Sequence, residues 1–277
     1  MTKPSLSVRV NKLNVKLGSV KQEVFEVAVE APVSLSVNGK YLRTLVATPI
    51  MLTELALGHL YSEGIIDSLS DVKDVIVKEL SVDVHLFKDV NTKILAALTT
   101  RVTTTACGSA ETSFLSLLDR IKKPIVLSSL TVDPNIIPKA VLKLNEVGVL
   151  YKATKATHSA VILSTDGNLV AVAEDVGRHN AVDKAIGLTL LKKVNLSGCI
   201  LVCSGRPTAD MTLKAARAGI PVVLSLSLPT DLSIKIAEET GVTLASVRGR
   251  DLTIYAHPER LLKSLIRKPY DLSTNRC

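Results

Sequence analysis

Cys107 stands in the stretch TTTACGSAET (103–112), among threonine, glycine and serine instead of the apolar residues that usually bury a thiol. Ser109 is placed to cap a following helix, with Glu111 in its first turn. A sulfur just ahead of a helix N-terminus feels the positive end of the dipole, which favours the nucleophilic thiolate, and Glu111 opposes this in part. The chemistry on offer is that of a nucleophile or a sulfur carrier; the alternative is an incidental loop cysteine. The other three thiols differ. Cys199 and Cys203 fall in the apolar run GCILVCSG, four residues apart on one side of a strand, too far apart to bridge, and Cys277 is terminal. With no C-x-x-C pair, the cysteines read as reduced thiols in a reducing, cytoplasmic compartment.

A second chemistry lies in four loops. AVAEDVGRHNAVDKAIG, ILVCSGRPTADMTLKAA and VVLSLSLPTDLSIKIA each run from an apolar strand through a short polar loop into a helix. In open α/β sheets such loops form the ligand crevice, where helix N-termini attract anions. Arg178 and Arg206 occupy two of them, and an arginine fork matches phosphate. SVRGRDLTIY adds Arg248 and Arg250 around Gly249, a basic turn that a pyrophosphate can approach closely. The ligand predicted is phosphorylated and nucleotide-like. Within EDVGRHNAVDK, Arg178 and His179 are the candidates for ligand contact. Asn180 is expected to cap the helix, and Asp183 to pair with Arg178 or Lys184. His158, which opens a strand, reads as a structural donor as readily as a ligand-binding group.

The elements that must position these groups follow from periodicity. VFEVAVEAP and VSLSVNGKYLRTLVA alternate like strands, with Asn38-Gly39 a hairpin turn. TPIMLTELALGHLYSEGII is helical, with Leu52, Leu55, Ala56, His59 and Leu60 near one face and Gly64 closing it; VIVKEL and SVDVHLF are short strands. Beyond about residue 110, helices (ETSFLSLLDRIKK, PNIIPKAVLKLNEVG, NAVDKAIGLTLLKK, PTADMTLKAARAG from Pro207 to Gly219, TDLSIKIAEETG) alternate with strands, including a hairpin turned at Asp166-Gly167. This pattern predicts an α/β layered domain with a mixed sheet over 101–277, preceded by a smaller strand-rich subdomain over 1–100.

Composition narrows the class. Of 277 residues 47% are hydrophobic but only 3% aromatic, so the core must be aliphatic. No apolar run is long enough to span a membrane, and MTKPSLSVRV lacks the apolar segment of a signal peptide. The net charge of +8 suits phosphorylated ligands or acidic partners, but the basic residues are dispersed without an aromatic platform, which argues against nucleic acid. A zinc deaminase is excluded on ligands: His158 is followed by Ser159 and Ala160, with no glutamate at the required spacing and no P-C-x-x-C.

EAPVSLSVNGKYLRTLVATPIMLTELALGHLYSEGII, THSAVILSTDGNLVAVAEDVGRHNAVDKAIG, SGRPTADMTLKAARAGIPVVLSLSLPTDLSIKIAEETGVTLASVRGR and TIYAHPERL resemble the FdhD/NarQ family of formate dehydrogenase accessory sulfurtransferases, from about residue 28 to 261. The resemblance implies a cytidine deaminase-like α/β fold without its zinc or any metal of its own, a cytoplasmic homodimer, and sulfur taken from a cysteine desulfurase as a persulfide. The implied recipient is the bis-molybdopterin guanine dinucleotide form of the molybdenum cofactor, destined for the catalytic subunit of formate dehydrogenase. By the same resemblance the persulfide falls on Cys107. The cofactor-binding stretch falls on Val247, Arg248, Gly249 and Arg250, completed by His158, Arg178, His179, Asn180, Ser204, Gly205, Arg206, Ser227 and Thr230.

Two departures from the family pattern matter. Many members carry C-G-x-C where this chain has Cys107-Gly108-Ser109-Ala110, so no local disulfide or relay can be obligatory. Many carry T-G-G before the histidine where this chain has Thr154-Lys155-Ala156-Thr157, and Lys155 offers a charge in place of glycine. The competing expectation is a cofactor chaperone in which Cys107 is incidental.

Overall fold

The computed structural model describes residues 3–88, 124–249 and 251–261. Cys107, Arg250, Cys277 and the helix expected over ETSFLSLLDRIKK lie outside the described residues. Asn38 and Gly39, both at positive φ (51° and 74°), make the expected turn between β3 (Ala31–Val37) and β4 (Lys40–Ala47). These strands join β5 (Val72–Lys78) and β6 (Ser81–Leu86) in a four-stranded sheet of order β4-β3-β6-β5. Its inner face (Val33, Leu35, Val82, Val84) is covered by Leu55, Ala56 and Leu60 of α1 (Leu52–Ser62). Ahead of it, β1 (Ser5–Asn14) and β2 (Ser19–Ala28) form a separate antiparallel ribbon, of which the sequence reading anticipated only part of the second strand.

Six strands make the larger sheet: β7 (His158–Ser164), β8 (Leu169–Asp175), β9 (Cys199–Cys203), β10 (Val222–Ser225), β11 (Thr243–Arg248) and β12 (Asp251–Ala256), ordered β12-β11-β10-β9-β7-β8. The three central strands β9, β10 and β11 are parallel; β7, β8 and β12 run against their neighbours, so the sheet is mixed. Helices lie on both faces, which is why the strands read as unbroken apolar runs. One face packs Ile162, Leu201 and Leu244 against Ala181, Val182 and Ala185 of α4 (Arg178–Leu191), Met211 and Ala215 of α5 (Ala209–Arg217) and Ala237 of α6 (Asp231–Thr240). The other packs Val161, Val202 and Leu224 against Ile137, Ala140 and Leu144 of α2 (Ile136–Val147), which leads into the short α3 (Val149–Thr154). Helix α5 starts two residues after Pro207, because Thr208 is its extended N-cap and the Pro207 carbonyl accepts the Thr230 amide at 3.2 Å.

The two sheets are joined through helices α1 and α4, which touch backbone to backbone. A Cβ on Gly58 would lie 1.8 Å from the Asp183 carbonyl oxygen, and one on Gly187 2.0 Å from that of Glu54. Glycine inside each helix is the condition for this crossing.

Candidate ligand-binding site

Register explains why distant segments meet. Cys203 pairs with Ser225 and Ser225 with Ser246 in parallel, so Ser204-Gly205-Arg206, Leu226-Ser227 and Val247-Arg248-Gly249 all leave the sheet at one edge. Antiparallel β7 brings its beginning to the same edge: Ala160 is opposite Cys203, and His158 is opposite Asp175 at the end of β8. The sequence-predicted residues His158, Arg178, His179, Ser204, Gly205, Arg206, Ser227, Thr230, Val247, Arg248 and Gly249 therefore gather along one rim.

Individual contacts define their roles. Ser204 donates its amide to the Ser159 carbonyl at 3.0 Å, its hydroxyl accepts the Ser159 amide at 3.0 Å, and His158 Nδ1 lies 3.5 Å from that hydroxyl. Gly205 permits the approach of Arg178, whose Cβ would be 2.6 Å from any Cβ there. The Arg178 Nε is buried without a hydrogen-bond partner, while Arg206 and Arg248 are exposed. Burial, then the Arg178 charge, lowers the His158 pKa; burial lowers that of His179 against the pull of Asp210. Both imidazoles are therefore neutral near pH 7 and able to donate or accept. His179 Nε2 lies 3.5 Å from Thr208 Oγ1 and 3.9 Å from Asp210.

Two expectations change. Asn180 does not cap α4: Gly177 is the N-cap, and Asn180 Nδ2 reaches back to the Val46 carbonyl (2.7 Å) and Asp175 (3.1 Å). Asp183 pairs with neither Arg178 nor Lys184. It accepts from Lys214 (3.0 Å), Ser62 (2.7 Å) and His59 Nδ1 (2.8 Å), because its helix position faces α1 and α5. Lys184 instead donates to Asp175 (2.5 Å) and the Thr48 carbonyl (2.8 Å). Thr230 spends its hydroxyl as the N-cap of α6, accepting the Ser233 amide at 3.3 Å, and Val247 is a core residue. Glu174 accepts the Leu150 and Tyr151 amides at 2.8 and 2.7 Å, holding the first turn of α3.

Beside this rim opens a cavity of about 450 Å³, within the usual range for small-ligand sites. His158 and Ser204 belong to its wall, with Ser159, Asn145, Tyr151, Lys155, Leu144 and Leu226. Asn145, Tyr151 and Ser159 were not anticipated; the only signal was that Tyr151 and Lys155 stand four residues apart, one helical turn. Among the described residues no group of three His, Cys, Asp or Glu side chains is placed to hold a metal ion. No described helix is long and apolar enough to cross a membrane.

Cys199 and Cys203 are buried, and burial pushes both thiols up to about 11. Iodoacetamide at pH 8 is expected to leave both peptides unlabelled in the native protein and to label them after denaturation; native labelling in a peptide digest would contradict their burial.

A mixed sheet flanked by helices, with polar and basic loops gathered at one edge, defines an α/β protein. The chain belongs to the FdhD/NarQ family, whose model matches residues 28–262. Relatives called sulfur carrier protein FdhD include those of Shouchella clausii (35% identical, covering 86% of this chain and 91% of the relative) and Saccharolobus solfataricus (35%, covering 92% and 100%). A crystal structure from Desulfotalea psychrophila, reported as a candidate formate dehydrogenase accessory protein, shares the fold with a TM-score of 0.74 at 24% identity, covering 94% of this chain and 100% of that one.

Proposed function

We propose that this chain is a sulfur carrier in the maturation of formate dehydrogenase. The observation that supports this reading best is the gathering of the family's loops on one sheet edge, in a chain whose relatives are called sulfur carrier protein FdhD. Cys107 thiolate attacks the outer sulfur of a cysteine desulfurase persulfide. The donor's S–S bond breaks, its cysteine leaves as thiolate, and a new S–S bond forms on Cys107. The cargo served is the bis-molybdopterin guanine dinucleotide cofactor, and the destination is the catalytic subunit of formate dehydrogenase. The protein acts as a cytoplasmic homodimer.

The residues present fit such a ligand. The cavity can seat a nucleotide-sized group, and Arg178 Nε is a buried donor with no acceptor beside it. Arg206 and Arg248 stand at the same rim with charge suited to a diphosphate. His158 and His179 position the ligand through neutral imidazoles. Ser109-Ala110 in place of a second cysteine leaves Cys107 to carry sulfur alone.

Two measurements test this. After incubation with a cysteine desulfurase and L-cysteine, mass spectrometry is expected to find one added sulfur on the Cys107 peptide. Cys107→Ala is expected to bind the cofactor with unchanged affinity and to abolish formate dehydrogenase maturation. Full maturation by the variant would favour the chaperone reading.

A further inference from the structure

The cavity beside the rim carries a lysine where the backbone favours glycine. Lys155 is the C-cap of α3 with φ 57° and ψ 15°, its amide bonded to the Tyr151 carbonyl at 2.7 Å. This left-handed conformation is the usual place of glycine after a helix, and a non-glycine residue there is strained. Such strain persists where the surroundings or a function maintain it. The Lys155 Nζ lies 4.9 Å from the centroid of the Tyr151 ring, so the ring faces the ammonium group. Among the described residues no carboxylate pairs with it. Glu174 has both oxygens engaged by Leu150, Tyr151 and Thr157. The cavity wall thus carries cationic and polar groups (Lys155, His158, Ser204) together with apolar ones (Leu144, Leu226).

We infer that Lys155 is a ligand-contacting, specificity-determining residue that holds a phosphate of a nucleotide seated in this cavity, with the base of the nucleotide against the apolar lining residues. This rests on the reading of the crevice as a guanine dinucleotide site given above. The residue supplies a point charge and hydrogen-bond donors that glycine lacks, and it gives the cavity a preference for phosphorylated over unphosphorylated ligands.

Calorimetry with GDP and with guanosine, on wild type, Lys155→Gly and Lys155→Arg, tests the assignment. Wild type is expected to bind GDP more tightly than guanosine. Lys155→Gly is expected to weaken GDP binding about tenfold, the scale of one lost charged hydrogen bond. It should leave guanosine binding unchanged and the melting temperature equal or higher, since glycine relieves the backbone. Lys155→Arg should keep the preference for GDP. Equal GDP affinity in wild type and Lys155→Gly overturns the inference alone. A wild type that binds neither GDP nor guanosine overturns the reading of the crevice together with it.

Discussion

Asp183→Ala is expected to destabilise the protein by about 3–5 kcal/mol, the cost of breaking a buried ion pair from one side. The Asp183 side chain is 1% exposed and that of Lys214 3%. Both carboxylate oxygens accept from Lys214 at 3.0 Å, and Ser62 and His59 complete the set. Removing the carboxylate leaves Lys214 with Glu63 and Ser62, and leaves the buried His59 ring, whose Nε2 already lacks a partner, without its Nδ1 contact. Urea unfolding of Asp183→Ala, Lys214→Met and the double variant should show the double less destabilised than the sum of the singles. A single-variant loss below about 1 kcal/mol would sink the argument.

The same pair sets an acid limit. Burial pushes the Asp183 carboxyl up, but the Lys214 ammonium and the His59 hydrogen bond outweigh this and hold it well below the usual carboxylate range. A depressed folded-state pKa contributes stability that is fully present above the unfolded value of about 3.9 and is lost as pH falls toward the folded one. The melting temperature of wild type should therefore fall below about pH 4 more steeply than that of Asp183→Asn.

Gly187→Ala is the second large effect, and its sign is the test. In an open helix, glycine to alanine stabilises by about 0.5–1 kcal/mol. Here the new Cβ would stand 2.0 Å from the Glu54 carbonyl oxygen, and the equivalent atom on Gly58 1.8 Å from that of Asp183. Both obstacles are backbone and cannot rotate away, so either substitution must separate the helices. A destabilisation of about 3 kcal/mol is expected, at the upper end for overpacking. Helix α4 carries Arg178 and His179 in its first turn, so its displacement should also lower GDP affinity. A variant as stable as wild type in thermal unfolding would refute the close crossing.

Much of the architecture was legible locally. Asn38-Gly39, Asp166-Gly167 and the alternation of apolar runs with amphipathic helices are patterns of neighbouring residues, and they mark the hairpins and the strand-to-helix loops. The pairing of charges was not. Asp183 meets Ser62 across 121 residues of chain, Lys184 meets Thr48 across 136, and Lys214 meets Asp183 across 31. Local reading offered Asp183 the cations within five residues, but Lys184 is taken by Asp175 and Arg178 lies against Gly205. The isolated glycines 58 and 187 inside helical patterns were the one overlooked local signal of a close crossing.

The sequence by itself determined the small polar neighbours of Cys107, the basic loops and the likeness to the FdhD/NarQ family, because these depend on residue type and order alone. Only the tertiary structure decided which polar groups are spent on the fold and which stay at the rim. A buried charge must find a partner wherever the packed helices bring one, and Asp175, Asp183 and Lys184 found theirs at a distance. Arg178, His158 and His179 remained at the rim, and Tyr151 and Lys155 reached the same cavity only through the packing of α2 and α3 on the sheet.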